Sequence, residues 1–343
     1  MKPRLDVHFS CRMKRVFLFG RPYLPVENEF LLNHARSGIL LALQALKLAP
    51  QSKVGVMAYN CHTVFNAVAQ ADCIPVFLDV TDGMTIDVED LNKKVSGLSA
   101  LVVTHLFGIQ NDVALIRSKY PHLPIIEDCA HAYGITDIQG DFAVFSIGQG
   151  KLPSLGDGGI LLVKNDSYLE AVKRLYDQLP EYGLIDSAKL FCSMSFRSFL
   201  YRPVLYSLTS NILKRIRGVP DGREWITPKR MCSGIKAMYQ RVLPSIEEEI
   251  DERLAFAQRH ASELSSISGV NAVYYGLNAF MLIATCENVG AVQYRMLKEG
   301  VETATHFSNC LEWASQFGYE KGTCPKTEKL VHALLMIPAY GKR

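Results

Sequence analysis

Between residues 53 and 164 the chain alternates short apolar runs with stretches of helical pattern, and this alternation constrains the fold more than any other feature. The runs Val54–Tyr59, Pro75–Val80, Leu101–Leu106, Pro124–Glu127, Phe142–Ile147 and Ile160–Lys164 are nearly continuous in apolar residues. Strands of that kind are buried on both faces, so they predict a largely parallel sheet covered by helices. The stretches near 62–71, 87–95 and 111–119 supply helices between the first four strands. Such a sheet gathers ligands at the carboxyl ends of its strands. Tyr59-Asn60-Cys61, Asp128 and Ser146 to Lys151 all fall at such ends.

Lys151 closes the segment Phe-Ser-Ile-Gly-Gln-Gly-Lys (145–151), just before Gly156-Asp157-Gly158-Gly159. A single lysine in a glycine-rich loop is usually a solvated charge. Upstream, however, Leu123-Pro124-Ile125-Ile126-Glu127-Asp128 is an apolar strand that ends in a carboxylate, followed by Cys129-Ala130-His131-Ala132. An amine that can form a Schiff base, with an acid that can hold a pyridinium nitrogen, is the pairing pyridoxal phosphate needs. Asp128 read alone is equally a helix N-cap, and His131 a satisfied core histidine.

The order of these blocks resembles the DegT/DnrJ/EryC1/StrS family, pyridoxal-phosphate-dependent aminotransferases of nucleotide-linked keto sugars. The blocks are Ile126-Glu127-Asp128-Cys129-Ala130-His131-Ala132, Gly140-Asp141, Phe145-Ser146, Lys151 and Gly156-Asp157-Gly158-Gly159. Pro75-Val76-Phe77-Leu78-Asp79-Val80 matches too, as does Thr104-His105-Leu106-Phe107-Gly108 with Asp112 after it. The match is nearly gapless from about Ala35 to Lys164 and loose beyond.

The resemblance implies a fold-type-I transferase: a mostly parallel central sheet covered by helices, plus a smaller C-terminal α+β domain. It implies an aminotransferase with glutamate as donor, a nucleotide-linked keto sugar as acceptor, and a homodimer. By resemblance Lys151 holds the cofactor aldehyde and shuttles a proton, and Asp128 pairs with the ring nitrogen. His131 stands where many relatives carry Gln, against the phenolic oxygen, and Ser146 has the spacing of a phosphate-binding hydroxyl. The helix starting near residue 36 would complete the phosphate site through the backbone around Ala35 and through Arg36, in place of the relatives' Ser-Gly-Thr.

Three departures stand beside these matches. Cys61 falls where relatives stack an aromatic residue on the cofactor ring. Pro228-Lys229-Arg230-Met231 replaces Asn-x-Arg-Met, leaving Arg230 to reach the partner subunit's phosphate. The loop between Asp128 and Lys151 is shorter than usual. Two other readings remain open: a sugar dehydratase on this fold, whose relatives usually replace the lysine by histidine, and a non-catalytic protein of a polysaccharide assembly complex.

The rest of the chain fits a globular protein of two domains, 1–225 and 226–343, with a helical insertion at 190–222. Leu190 to Arg217 is apolar, aromatic and basic, which favours a packing or dimer surface over a membrane surface. A helical pattern from Cys232 to Leu264 is interrupted at Pro244, and strands are expected at Ala272–Tyr275, Phe280–Cys286 and 301–306, with a helix at 289–299. A net charge of +3 gives no argument for nucleic acid, and nine cysteines without a Cys-x-x-Cys pair read as free thiols rather than disulfides or a metal site. Met1 to Phe19 lacks the apolar core of a signal peptide, and no run is long enough to span a membrane, so a cytoplasmic protein is expected.

Overall fold

The computed structural model describes residues 27–200 and 221–339, with only the backbone at 197 and 198. Its centre is a seven-stranded sheet in the order β1-β7-β6-β5-β4-β2-β3. These strands are β1 (Glu29–Leu32), β2 (Lys53–Met57), β3 (Ile74–Leu78), β4 (Ala100–Thr104), β5 (Ile125–Asp128), β6 (Phe142–Ser146) and β7 (Gly159–Val163). The pairs from β3 across to β6 are parallel; β7 runs antiparallel to β6, and β1 antiparallel to β7. Strand β4 is buried at every position and β5 likewise, as strands covered on both faces must be.

Helices α1 (Ala35–Ala45), α2 (His62–Gln70), α3 (Val88–Lys94), α4 (Val113–Lys119) and α5 (Leu169–Asp177) flank this sheet. Local chemistry starts several of them. Asp87 caps α3 by accepting the amides of Glu89 and Asp90, and Asp112 caps α4 through the amide of Leu115. Asp112, part of the family-like pattern, thus acts as a cap. Asp79 is also architectural: it accepts the amides of Lys326 and Thr327 and the Thr327 hydroxyl.

Past α5 lie α6 (Leu184–Leu200), α7 (Ser233–Val242) and α8 (Ile246–Ser265). The break expected at Pro244 is a single tight turn, Leu243–Ser245, between α7 and α8. Strands β8 (Val270–Tyr275), β9 (Leu282–Cys286) and β10 (Leu334–Ile337) form a second, antiparallel sheet in the order β10-β9-β8. Helix α9 (Val289–Lys298) packs there through Val292 and Met296. The strand expected at 301–306 is reduced to one bridge, Ala304 to Met336.

Helices α10 (Cys310–Ser315) and α11 (Pro325–Ala333) turn back to the large sheet. Cys310, Trp313, Ala314, Leu330 and Val331 share its core; Tyr319 meets Phe77 edge-on, and Phe317 packs on Phe65 at a tilt. The segment 310–334, expected within the smaller domain, therefore belongs to the larger packing unit. Apolar side chains buried against Phe65 and Phe77 fix it there. Of the insertion at 190–222, α6 covers the first part; 201–220, like Met1 to Phe19, lies outside the described residues. No described helix is long and apolar enough to cross a membrane.

Candidate active site

The carboxyl ends of β4, β5 and β6 put Thr104, Asp128 and Ser146 side by side. Thr104 is in register with Asp128, and Asp128 with Val144, two residues before Ser146. Asp128 is almost wholly buried; its carboxylate accepts the Ala130 amide at 3.1 Å and the Thr104 hydroxyl at 3.3 Å. Thr104 in turn accepts from the Asn60 amide at 2.8 Å, which fixes the end of β2's following turn against β4. Burial raises the Asp128 pKa, opposed by the Ala130 amide and by the nearby positive charge of Lys151.

Lys151 sits after Gly150, whose φ of 71° takes the loop through the left-handed region that glycine tolerates. Its ammonium lies 5.9 Å from the centroid of the Phe280 ring. Burial lowers the Lys151 pKa, against the pull of Cys61 and Asp128. The structure thus joins the lysine and the carboxylate electrostatically, and burial makes the lysine easier to deprotonate than an exposed one.

His131 stands between aromatic rings. It stacks on Phe280 at 4.6 Å, Phe107 at 5.6 Å and Phe307 at 5.9 Å between centroids. The backbone amide of Phe107 donates to Nδ1 at 3.2 Å, which leaves the proton of a neutral ring on Nε2. Burial, with Lys151 and His306 adding to it, holds the His131 pKa well below that of an ordinary histidine. Nε2 is buried without a partner. Orphaned donors are rare inside proteins, and this one marks a place for an acceptor.

A second cradle lies at the start of α1. No side chain caps this helix; the imidazole of His34 turns instead to Asp157 at 2.8 Å. Gly159, in register with Ser146, brings the strand so close that an added Cβ would lie 2.3 Å from the Ala35 nitrogen. The Ser146 hydroxyl and the first amides of α1 therefore converge, and helix N-termini favour anions.

Three expected contacts differ. Arg36 does not stand free beside α1; its guanidinium pairs with Glu224 at 2.9 Å. Arg230 does not reach outward. It stacks on Tyr176 and holds the carbonyl of Asp177 and the carboxylate of Glu181, while its backbone bridges to Leu32 on the edge of β1. The open edge of β1 recruits the 229–231 segment, and the carbonyl end of α5 attracts the cation, so its own chain satisfies it. Cys61 precedes α2 and contacts His62 and Thr63, with no ring of its own to stack.

Sequence reasoning also missed contributors. His306, Phe307 and Phe280 come from the second half of the chain, and no spacing ties them to Lys151. His306 lies in the loop after α9; its carbonyl accepts the Tyr59 hydroxyl at 2.7 Å, and burial with Lys151 lowers its pKa to about 4. His105, Glu127 and Cys129 form a buried group with metal-ligand atoms, but His105 accepts the Asn111 amide at Nδ1 and donates from Nε2 to the Glu127 carboxylate at 2.8 Å. Glu127 also takes the amides of Gln139 and Gly140, and burial keeps the Cys129 thiol protonated, so this group acts as a strut.

The sequence profile of the DegT/DnrJ/EryC1/StrS aminotransferase family matches residues 21–188. The chain is 25% identical over 166 residues to GDP-perosamine synthase of Vibrio cholerae, which covers 46% of this chain and 45% of that protein. It is 28% identical over 256 residues to dTDP-4-dehydro-2,3,6-trideoxy-D-glucose 4-aminotransferase of Saccharopolyspora spinosa, 71% of this chain and 60% of the other. The chain thus spans about half the length of these relatives. In fold it is similar to a DegT DnrJ EryC1 StrS aminotransferase from Brucella abortus, with a TM-score of 0.69 at 18% identity over 98% of this chain and 91% of that one. An aminotransferase from Streptoalloteichus hindustanus gives a TM-score of 0.68 at 19% identity, over 98% and 85%. The architecture, a mostly parallel seven-stranded sheet with a small antiparallel sheet beside it, is that of fold-type-I transferases.

Proposed function

Because residues 21–188 belong to the DegT/DnrJ/EryC1/StrS aminotransferase family, we propose that this chain is a pyridoxal-phosphate-dependent aminotransferase of a nucleotide-linked keto sugar, with glutamate as amino donor. The observation that carries the reading is one pocket holding a lysine whose pKa burial lowers, a buried carboxylate and an orphaned imidazole donor. The relatives' names, a GDP-sugar synthase and a dTDP-sugar aminotransferase, support the substrate class.

The residues fit the cofactor. When bound, pyridoxal phosphate supplies an aldehyde and a ring that withdraws electrons. Lys151 Nζ would be the amine that holds the cofactor, and as a free amine it would carry the proton to and from the donor's Cα. Asp128 would pair with the ring nitrogen, where its charge would keep that nitrogen protonated. His131 Nε2 donates to the phenolic oxygen, which answers its lack of a protein partner. Ser146 and the amides at Ala35 and Arg36 take the phosphate, and Cys61 lies beside the ring. Arg36 contributes its side chain only by leaving Glu224.

On this reading the large sheet and its helices carry the cofactor, and Phe280 and His306 from the second half of the chain supply the second wall. The protein works as a cytoplasmic homodimer in making an amino sugar for a surface polysaccharide or a related product. Exposed apolar side chains on α6, Leu184, Ile185 and Phe196, support a covered surface there. Arg230 crosses to the partner's phosphate only if it gives up Glu181 and Asp177.

Absorbance spectroscopy tests the proposal. Protein reconstituted with pyridoxal phosphate should absorb in the visible, and glutamate should bleach the band. A protein that gains no such band, or whose band no amino donor changes, would remove the aminotransferase reading.

A further inference from the structure

Cys61 precedes the first residue of α2, a helix of nine residues, and so sits at its positive end, with a sulfur that makes no capping bond to the helix amides. The Thr63 hydroxyl donates to its sulfur at 3.1 Å, which makes the sulfur an acceptor. His62 Nδ1 lies 3.9 Å from the same sulfur. The other nitrogen of His62 faces Glu224 at 3.5 Å, and Glu224 is held by Arg36 at 2.9 Å. The edge of the imidazole rests on Trp313, 4.8 Å between ring centroids, which fixes its plane. A thiol, an imidazole and a carboxylate in that order form the constellation that generates a thiolate.

We propose that Cys61, His62 and Glu224 make an activated thiol in the Lys151 pocket, a covalent modification site for soft carbon electrophiles. The site does not depend on the aminotransferase reading, because it stands on contacts within the chain alone. The thiol passes its proton to His62, and the sulfur attacks the electrophilic carbon. With a haloacetamide, the S–C bond forms as the carbon–halogen bond breaks, halide leaves, and His62 returns its proton to solvent. No oxidant or reductant takes part.

The charged groups around the sulfur agree on balance. His62 faces it from its own helix, with Glu224 and Arg36 behind; Lys151 faces it from the glycine-rich loop, with Asp128 behind. The Cys61 pKa is lowered although burial works against it, because His62 and Thr63 both favour the thiolate. The pKa of His62 is raised, against burial, by Cys61 and Glu224. Cys61 is partly exposed, whereas Cys129, Cys232 and Cys310 are buried. A modified Cys61 would crowd the amine of Lys151, so the group that occupies it also decides access to the lysine.

The test is the pH dependence of iodoacetamide alkylation in the purified full-length protein, read by peptide mass spectrometry at Cys61 and at the exposed Cys192. Cys61 should reach half its maximal rate at least about one pH unit below Cys192, as thiols paired with histidine do. His62→Gln should move the Cys61 profile up by about one unit and slow its labelling near neutrality about tenfold, leaving Cys192 unchanged. Glu224→Gln, at the rim of the pocket, should move it the same way by less, and it decides the matter if His62→Gln does not fold. Coincident profiles for Cys61 and Cys192, no labelling of Cys61 without denaturant, or no shift in the folded variants would each overturn the proposal.

Discussion

Burying a carboxyl group is unfavourable unless its partners compensate, and at Asp128 the effect of burial is opposed by the Ala130 amide, the Thr104 hydroxyl and the fields of Lys151 and His105. Burial raises its pKa, and the proposed function gives that buried carboxylate a cationic partner in the cofactor's ring nitrogen. Asp128→Asn keeps the shape and removes the charge, so cofactor should still bind while transamination falls by more than about tenfold, or about 1.4 kcal/mol of barrier. Turnover within tenfold of the wild type, measured with glutamate and an acceptor sugar, would make Asp128 a structural cap. Lys151→Ala carries a cleaner readout: borohydride should fix the cofactor to the wild type and leave the variant unlabelled, with the circular dichroism of both alike. Labelling of the variant at another residue would displace Lys151 from its role. Both positions were legible in the sequence because Asp128 ends an apolar strand and Lys151 follows one through a glycine-rich loop, each within a run of distinctive neighbours. Glu224, Phe280 and His306 were not, since they reach the pocket from loops whose paths no periodicity encodes.

Elements were legible where their physics is local. The apolar runs of β2 to β7 appear in the sequence within a residue or two of their observed ends, and Asp87 and Asp112 announce the starts of α3 and α4. The short edge strand β1 and the return of α10 and α11 escaped notice, because their partners lie far away in sequence. One glycine binds local and distant structure together. Gly159 begins β7 beside Ser146 and meets the start of α1 with no room for a side chain: a Cβ would lie 2.3 Å from the Ala35 nitrogen and the His34 carbonyl carbon. Backbone cannot yield as a flexible side chain can, so Gly159→Ala must push α1 off the sheet. We expect a loss of about 1–3 kcal/mol in urea unfolding, typical of overpacking. Phosphate affinity should drop as well, because the same shift opens the cradle. A variant as stable as the wild type would show that the α1 terminus is free to move.

On the scale of the whole molecule, buried His131 and half-buried His306 face each other between the two sheets, and that makes their union sensitive to acid. His306, from the loop leading to α10, gives its carbonyl to the Tyr59 hydroxyl of the large sheet and turns its ring toward His131 and Lys151. Its pKa is lowered to about 4 by burial and by the Lys151 charge, from an ordinary value of 6.5 in the unfolded chain. Between those values the unfolded chain binds a proton that the folded protein refuses, so folding stability must fall as pH falls. From pH 7 to pH 5 the loss through His306 alone comes to about 2 kcal/mol. His131, lowered in the same direction, adds to it. His306→Gln keeps the backbone bond to Tyr59 and removes the titrating ring, so its stability should depend less on pH over that interval, by about the same 2 kcal/mol. Urea titrations of cofactor-free protein at the two pH values measure both slopes directly. Equal slopes in wild type and variant would mean that the pocket opens to water before the ring takes its proton, and that the two sheets are not held together through His306.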